Sequence, residues 1–249
     1  MKPAIATVVT LGLLWVSVSG SSQQAVEIEV ESPRPLADAI HQLEERLGAV
    51  ITYEDPVLSY DGDLETIDLN GRPFRGPRGG LFRLRLPTPS AALPDGHVER
   101  TVRLALADYS ASGLAGTFRL ARTGDMLHVI PSAAKDMSGA SRAQTPVLDD
   151  RVSFDDAPRT AMELLDALQP ASRGRLLIGR TDPRFMLQNT KLLGGANNEP
   201  MRDVLAKTLQ STSPAISWRL FCGASPGRDQ CYLNVHVVRA LLPTIEVID

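Results

Sequence analysis

The chain has 249 residues, of which 43% are hydrophobic and 22% charged, the composition of an ordinary globular protein. Its 26 basic and 29 acidic residues leave a formal net charge of −3, which argues against a nucleic-acid binder, because such proteins carry a basic excess. This length makes one large domain or two small ones.

The first segment, MKPAIATVVTLGLLWVSVSG (1–20), places Lys2 before an uncharged apolar run from Ala4 to Val18. Ser19, Gly20, Ser21 and Ser22 follow it. Charge, then apolar run, then small residues is the order of a secretory signal peptide. The run is shorter than the roughly 20 residues of a spanning helix. Cleavage near Gly20 is therefore expected, with export to the periplasm or the medium and no membrane span afterwards.

Val26, Ile28 and Val30 alternate with charged residues, which predicts a half-buried strand. Leu36, Ile40, Leu43 and Leu47 then recur at the spacing of one helix face. Ser32 is the expected cap, Pro33 and Pro35 suit a first turn, and Gly48 is the stop. AVITYEDP (49–56) reads as a short buried strand closed by a turn. Residues 58–80 have no period of either kind and read as an irregular insertion. It carries Asp61, Asp63, Glu65 and Asp68, then Arg72, Arg75 and Arg78 among glycines and prolines. In the strand LFRLRLP that follows, Arg83 and Arg85 alternate with Leu84 and Leu86. A second helix, near 97–110, turns Val98, Val102, Ala105 and Tyr109 inward, and a hairpin covers 117–131.

Residues 133–149 are small and polar and read as a linker. Beyond it the order returns. Pro158-Arg159 matches Pro33-Arg34, Leu165 and Leu168 match Ile40 and Leu43, and Asp182-Pro183 matches Asp55-Pro56 once two residues are inserted. A helix over 199–210, with Asn198 as its cap, precedes a hairpin over 217–238. There Trp218-Arg219-Leu220 matches Phe118-Arg119-Leu120, and His236-Val237 matches His128-Val129. The expected fold class is α+β: two small βαββαβ(β)-type lobes, 25–132 and 150–238, each a sheet with two helices on one face, then a tail over 239–249. The shared order reads as an internal duplication.

The stretch SPRPLADAIHQLEERLGAVITYEDP resembles the secretin and TonB short N-terminal domain, whose helix has the form PLxxALxxLxxxxG. Pro35-Leu36, Ala39-Ile40, Leu43 and Gly48 fill that form, and Tyr53 takes the aromatic place that follows it. VLAKTLQSTSPAISW in the second half is similar to the ending of that domain. The resemblance implies a protein-interaction module rather than an enzyme, with an envelope protein as partner.

Few residues carry chemistry of their own. His41, His97, His128 and His236 stand singly, with no metal-binding spacing, so no metal is expected. His128 and His236 read as solvent-face strand residues. No phosphate loop or nucleophile elbow is present, and neither a catalytic residue nor a cofactor is expected. Cys222 and Cys231 flank the tip of the last hairpin, and in an oxidising compartment they are expected to form a disulfide, with a redox-active pair as the alternative. Arg72, Arg75, Arg78, Arg83 and Arg85 form the candidate partner-binding surface, matched to an acidic extended segment; the alternative is a solvated loop that neutralises itself. The function expected is a non-catalytic interaction module of the envelope. A binder of a glycan or peptidoglycan fragment is the first alternative, and a hydrolase the second.

Overall fold

A computed structural model describes residues 26–69, 72–86, 96–223 and 230–241. The proposed signal peptide, 1–20, and most of the tail, from 242, lie outside the described residues. Among those described, no helix is long and apolar enough to cross a membrane.

Strand β1 (Val26–Ser32) turns Ile28 and Val30 inward and its glutamates outward. It pairs antiparallel with β5 (Gly80–Leu86), so that Ile28 faces Leu84 and Val30 faces Phe82 on one buried side. Helix α1 (Pro35–Leu47) lays Leu36, Ile40 and Leu43 on that surface. Burying each such side chain contributes about 1.5–3 kcal/mol. The cap position belongs to Arg34 and has no side-chain hydrogen bond; Ser32 Oγ instead accepts from the Arg34 N–H at 3.2 Å. Gly48 ends the helix in the left-handed region, φ 56°, returning its N–H to the Glu44 carbonyl.

Next comes β2 (Ile51–Glu54), and here the expectation of an irregular insertion is corrected. Leu64–Leu69 (β3) and Arg72–Pro77 (β4) pair as an antiparallel hairpin. Pro77 at the end of β4 and the glycines hide the period there. Helix α2 (His97–Ala111), β6 (Thr117–Thr123) and β7 (Met126–Lys135) complete the first half.

The expected linker is also ordered. Ser141–Ala143 (β8) folds back on the end of β7, and Val147 and Leu148 are buried in the second core. The second half then runs β9 (Arg151–Thr160), α3 (Ala161–Ala171), β10 (Leu176–Thr181), α4 (Arg184–Asn189), β11 (Lys191–Pro200), α5 (Met201–Gln210), β12 (Ile216–Cys222) and β13 (Cys231–Val237). Thr160 and Glu163 close a reciprocal capping box on α3. Pro200, not Asn198, holds the cap position of α5.

The α+β class is as read from the sequence, but the largest sheet is shared by the two halves. In the first half β1 pairs antiparallel with β5, β2 parallel with β7, and β7 antiparallel with β6. In the second, β9 pairs antiparallel with β11, β10 parallel with β13, and β13 antiparallel with β12. β12 then pairs parallel with β2, which joins the halves into one path, β10-β13-β12-β2-β7-β6. Side chains cross the join: Phe221 packs against the first core, while Val50 and Val57 pack against the second.

Candidate functional site at the seam

The β2–β12 contact is short, with Arg219 opposite Tyr53 and Leu220 opposite Glu54. Polar side chains extend it on both sides, and nearly every buried charge among the described residues lies here.

At the outer end of β2, Asp55 donates its N–H to the Leu220 carbonyl at 2.8 Å. Its carboxylate accepts from the Cys222 N–H at 3.1 Å and from Arg34 Nε at 2.6 Å. Arg34 also donates to the Cys222 carbonyl at 3.2 Å and lies over the Phe221 ring at 4.8 Å. Burial pushes the Asp55 carboxyl up, against the pull of Arg34. Cys222 faces Cys231 directly and is bonded to it, S–S 2.01 Å, so the disulfide braces the strand end that Asp55 and Arg34 hold.

One residue back, Glu54 is fully buried and takes two hydrogen bonds from Arg202 of α5, 2.6 and 2.9 Å, while Arg202 also donates to Asp149. Burial pushes the Glu54 carboxyl up and the guanidinium draws it back. Thr52 Oγ1 bonds His128 Nδ1 at 2.8 Å, and the imidazole stacks on Trp218, centroids 5.3 Å apart. Burial drives the His128 pKa down to about 4, which keeps the ring neutral.

On the other side of the join, α1 presents Glu44, only 1% exposed. Its Oε1 accepts from the Ile51 N–H at 3.0 Å and its Oε2 meets His236 Nε2 of β13 at 2.7 Å. His41, three residues earlier on the same helix face, brings Nδ1 to 3.6 Å from Oε2, and its ring stands edge-on to His236. Burial pushes the Glu44 carboxyl up, but the imidazoles of His236 and His41 outweigh it and hold the pKa at about 2. Beside them opens a cavity of about 670 Å³, lined also by Arg219, Asp182, Phe185 and Arg239. The Arg219 Nε is buried there with no protein partner.

The solvent-face assignment of His128 and His236 is thus corrected: both turn inward, because the second half supplies Trp218 and the first supplies Glu44 as partners. For Glu44 and His41, the i, i+3 spacing was a usable signal. Nothing local pointed to His236.

Four of the five candidate arginines have partners of their own within the chain. Arg83 pairs with Glu29 at 2.6 Å and Arg85 with Glu27 at 3.6 Å, straight across the β1–β5 ladder. Arg75 pairs with Asp61 at 2.7 Å, and Arg78 donates to the Leu64 carbonyl at 3.3 Å. The Arg72 side chain lies outside the described residues. Arg75 lies in the β3–β4 hairpin and Arg78 just past it, while Arg83 and Arg85 lie in a separate sheet; Arg75, Arg83 and Arg85 each stand in a local ion pair. No protein-family model, curated protein or solved structure matches the chain.

Proposed function

We propose that the chain is an exported, non-catalytic interaction module of the bacterial envelope, a doubled relative of the secretin and TonB short N-terminal domain, which docks an extended segment of a partner protein along a sheet edge. One observation carries this reading: the chain joins its own halves by laying the edge of β12 against the edge of β2. The strand in the second half that corresponds to β2 is β10, and among the described residues it has a neighbour, β13, on one side only. An edge strand offers unpaired N–H and C=O groups that accept another strand. β10 ends at Thr181, one residue before Asp182 in the wall of the 670 Å³ cavity, where an incoming side chain has room. The charge balance at Arg83 and Arg85 moves the contact surface away from β5. The repeated strand pairing supports duplication as the origin of the two halves, and the disulfide accords with export.

A photoactivatable residue in place of Leu177 on β10, with Leu104 on the exposed side of α2 as control, tests this in the cells that make the protein. Light-dependent adducts with one envelope protein from position 177 and none from position 104 are expected. Equal adducts from both positions, or none from 177, count against edge docking. The cavity itself favours a second reading, a small anionic envelope ligand such as a peptidoglycan fragment held at Arg219, whose Nε lacks a protein partner.

A further inference from the structure

The geometry points to a divalent transition-metal site of the zinc class at His41, Glu44 and His236, bridging α1 of the first half and β13 of the second. The three candidate ligand atoms, His41 Nδ1, Glu44 Oε2 and His236 Nε2, all lie within 4.8 Å of one another, with 2.7 and 3.6 Å separating the carboxylate oxygen from the two nitrogens. Ligands held about 2.0–2.2 Å from a common tetrahedral ion stand roughly 3.3 Å apart. The spacings of 2.7 and 3.6 Å bracket that value, and the outlying ring, His41, is the most exposed of the three.

Three features set this cluster apart from an ordinary ion pair. His41 Nδ1 is buried and has no hydrogen-bond partner, although it faces the carboxylate. The Glu44 carboxylate is aimed by the Ile51 N–H on its other oxygen, the outer contact that fixes a metal-binding carboxylate. Two imidazoles and one carboxylate are a donor set for zinc, cobalt, nickel or ferrous ion; magnesium and calcium prefer oxygen alone. His41 and His236 also line the 670 Å³ cavity, so positions not taken by protein would face that space, open to water or an anionic ligand. Because the ligands come from both halves, the ion would clamp the seam.

The test uses the full chain, produced without a histidine tag and stripped with a chelator, titrated with Zn²⁺ by calorimetry and with Co²⁺ by visible absorption. One equivalent of Zn²⁺, ligand-field bands from Co²⁺ and no heat from Mg²⁺ are expected. His41→Ala, at the most exposed of the three positions, should weaken Zn²⁺ at least tenfold, and His236→Gln should do the same. The melting temperature of the native chain should rise with Zn²⁺ and that of His41→Ala should not. Absence of saturable Zn²⁺ binding to the native chain, or a loss below tenfold in His41→Ala, overturns the assignment.

Discussion

Arg202 and Glu54, 148 residues apart, meet through two hydrogen bonds of 2.6 and 2.9 Å in a part of the seam that water does not reach. The pair crosses from α5 of one half to β2 of the other, and Asp149 accepts the remaining arm of the guanidinium. Removing the cation alone strands a buried carboxylate. Arg202→Met is therefore expected to cost about 3–5 kcal/mol in urea unfolding, and the double change Arg202→Met with Glu54→Leu to recover most of it. A double variant as unstable as the single one would show that the pair itself, rather than the stranded charge, sets the cost.

The disulfide closes a span of nine residues at the end of that same join. Restricting so short a loop in the unfolded chain is worth about 2.5 kcal/mol. Cys222→Ser with Cys231→Ser should lower stability by that amount. The urea dependence of the unfolding free energy should also steepen, since the reduced chain exposes more surface. Thiol titration of the denatured, unreduced native protein should find none free.

Stability should fall with acid through His128. Its folded pKa, about 4, lies below the ordinary value of 6.5, so the unfolded state binds the proton first. The contribution is complete above pH 6.5 and is lost as pH drops toward 4, in all about 3 kcal/mol. His128→Gln keeps a partner for Thr52 and removes the titration. Its stability curve should be flatter than that of the native chain between pH 6.5 and 4. Parallel curves would place the acid sensitivity elsewhere.

Glu44 acts lower on the scale. Its carboxyl, depressed from 4.5 to about 2, gives stability that is present above pH 4.5 and disappears as pH falls through 2. His236→Gln removes the strongest hydrogen bond on that carboxylate, so the midpoint of acid unfolding should move up in pH. An unchanged midpoint would show that His41 and the Ile51 N–H suffice to hold the charge against burial.

Charge reversal of Arg83 and Arg85 sets them against Glu29 and Glu27 on an exposed ladder. Solvent screens such pairs, so the melting temperature should move by little. Adduct formation from position 177 should be unaffected, since β10 belongs to a different sheet. Loss of the adduct in the reversed chain would return the docking surface to β5.

Local order was legible from the residues alone. Leu36, Ile40 and Leu43 announced α1, the alternation around Ile28 announced β1, and the two cysteines announced their pairing across the last hairpin. Each of those signals lies within a few residues, because helix and strand periods report which face of one element is apolar. The order β1-α1-β2, then β9-α3-β10, was readable for the same reason. What the tertiary structure alone decided is that β12 meets β2, and with it that Glu54 faces Arg202, His128 faces Trp218 and Glu44 faces His236. A parallel pairing between edges some 166 residues apart leaves no trace in either strand's own pattern. Buried charges follow suit: Glu44 sits beside an apolar stripe like any solvated helix residue until the other half arrives to cover it.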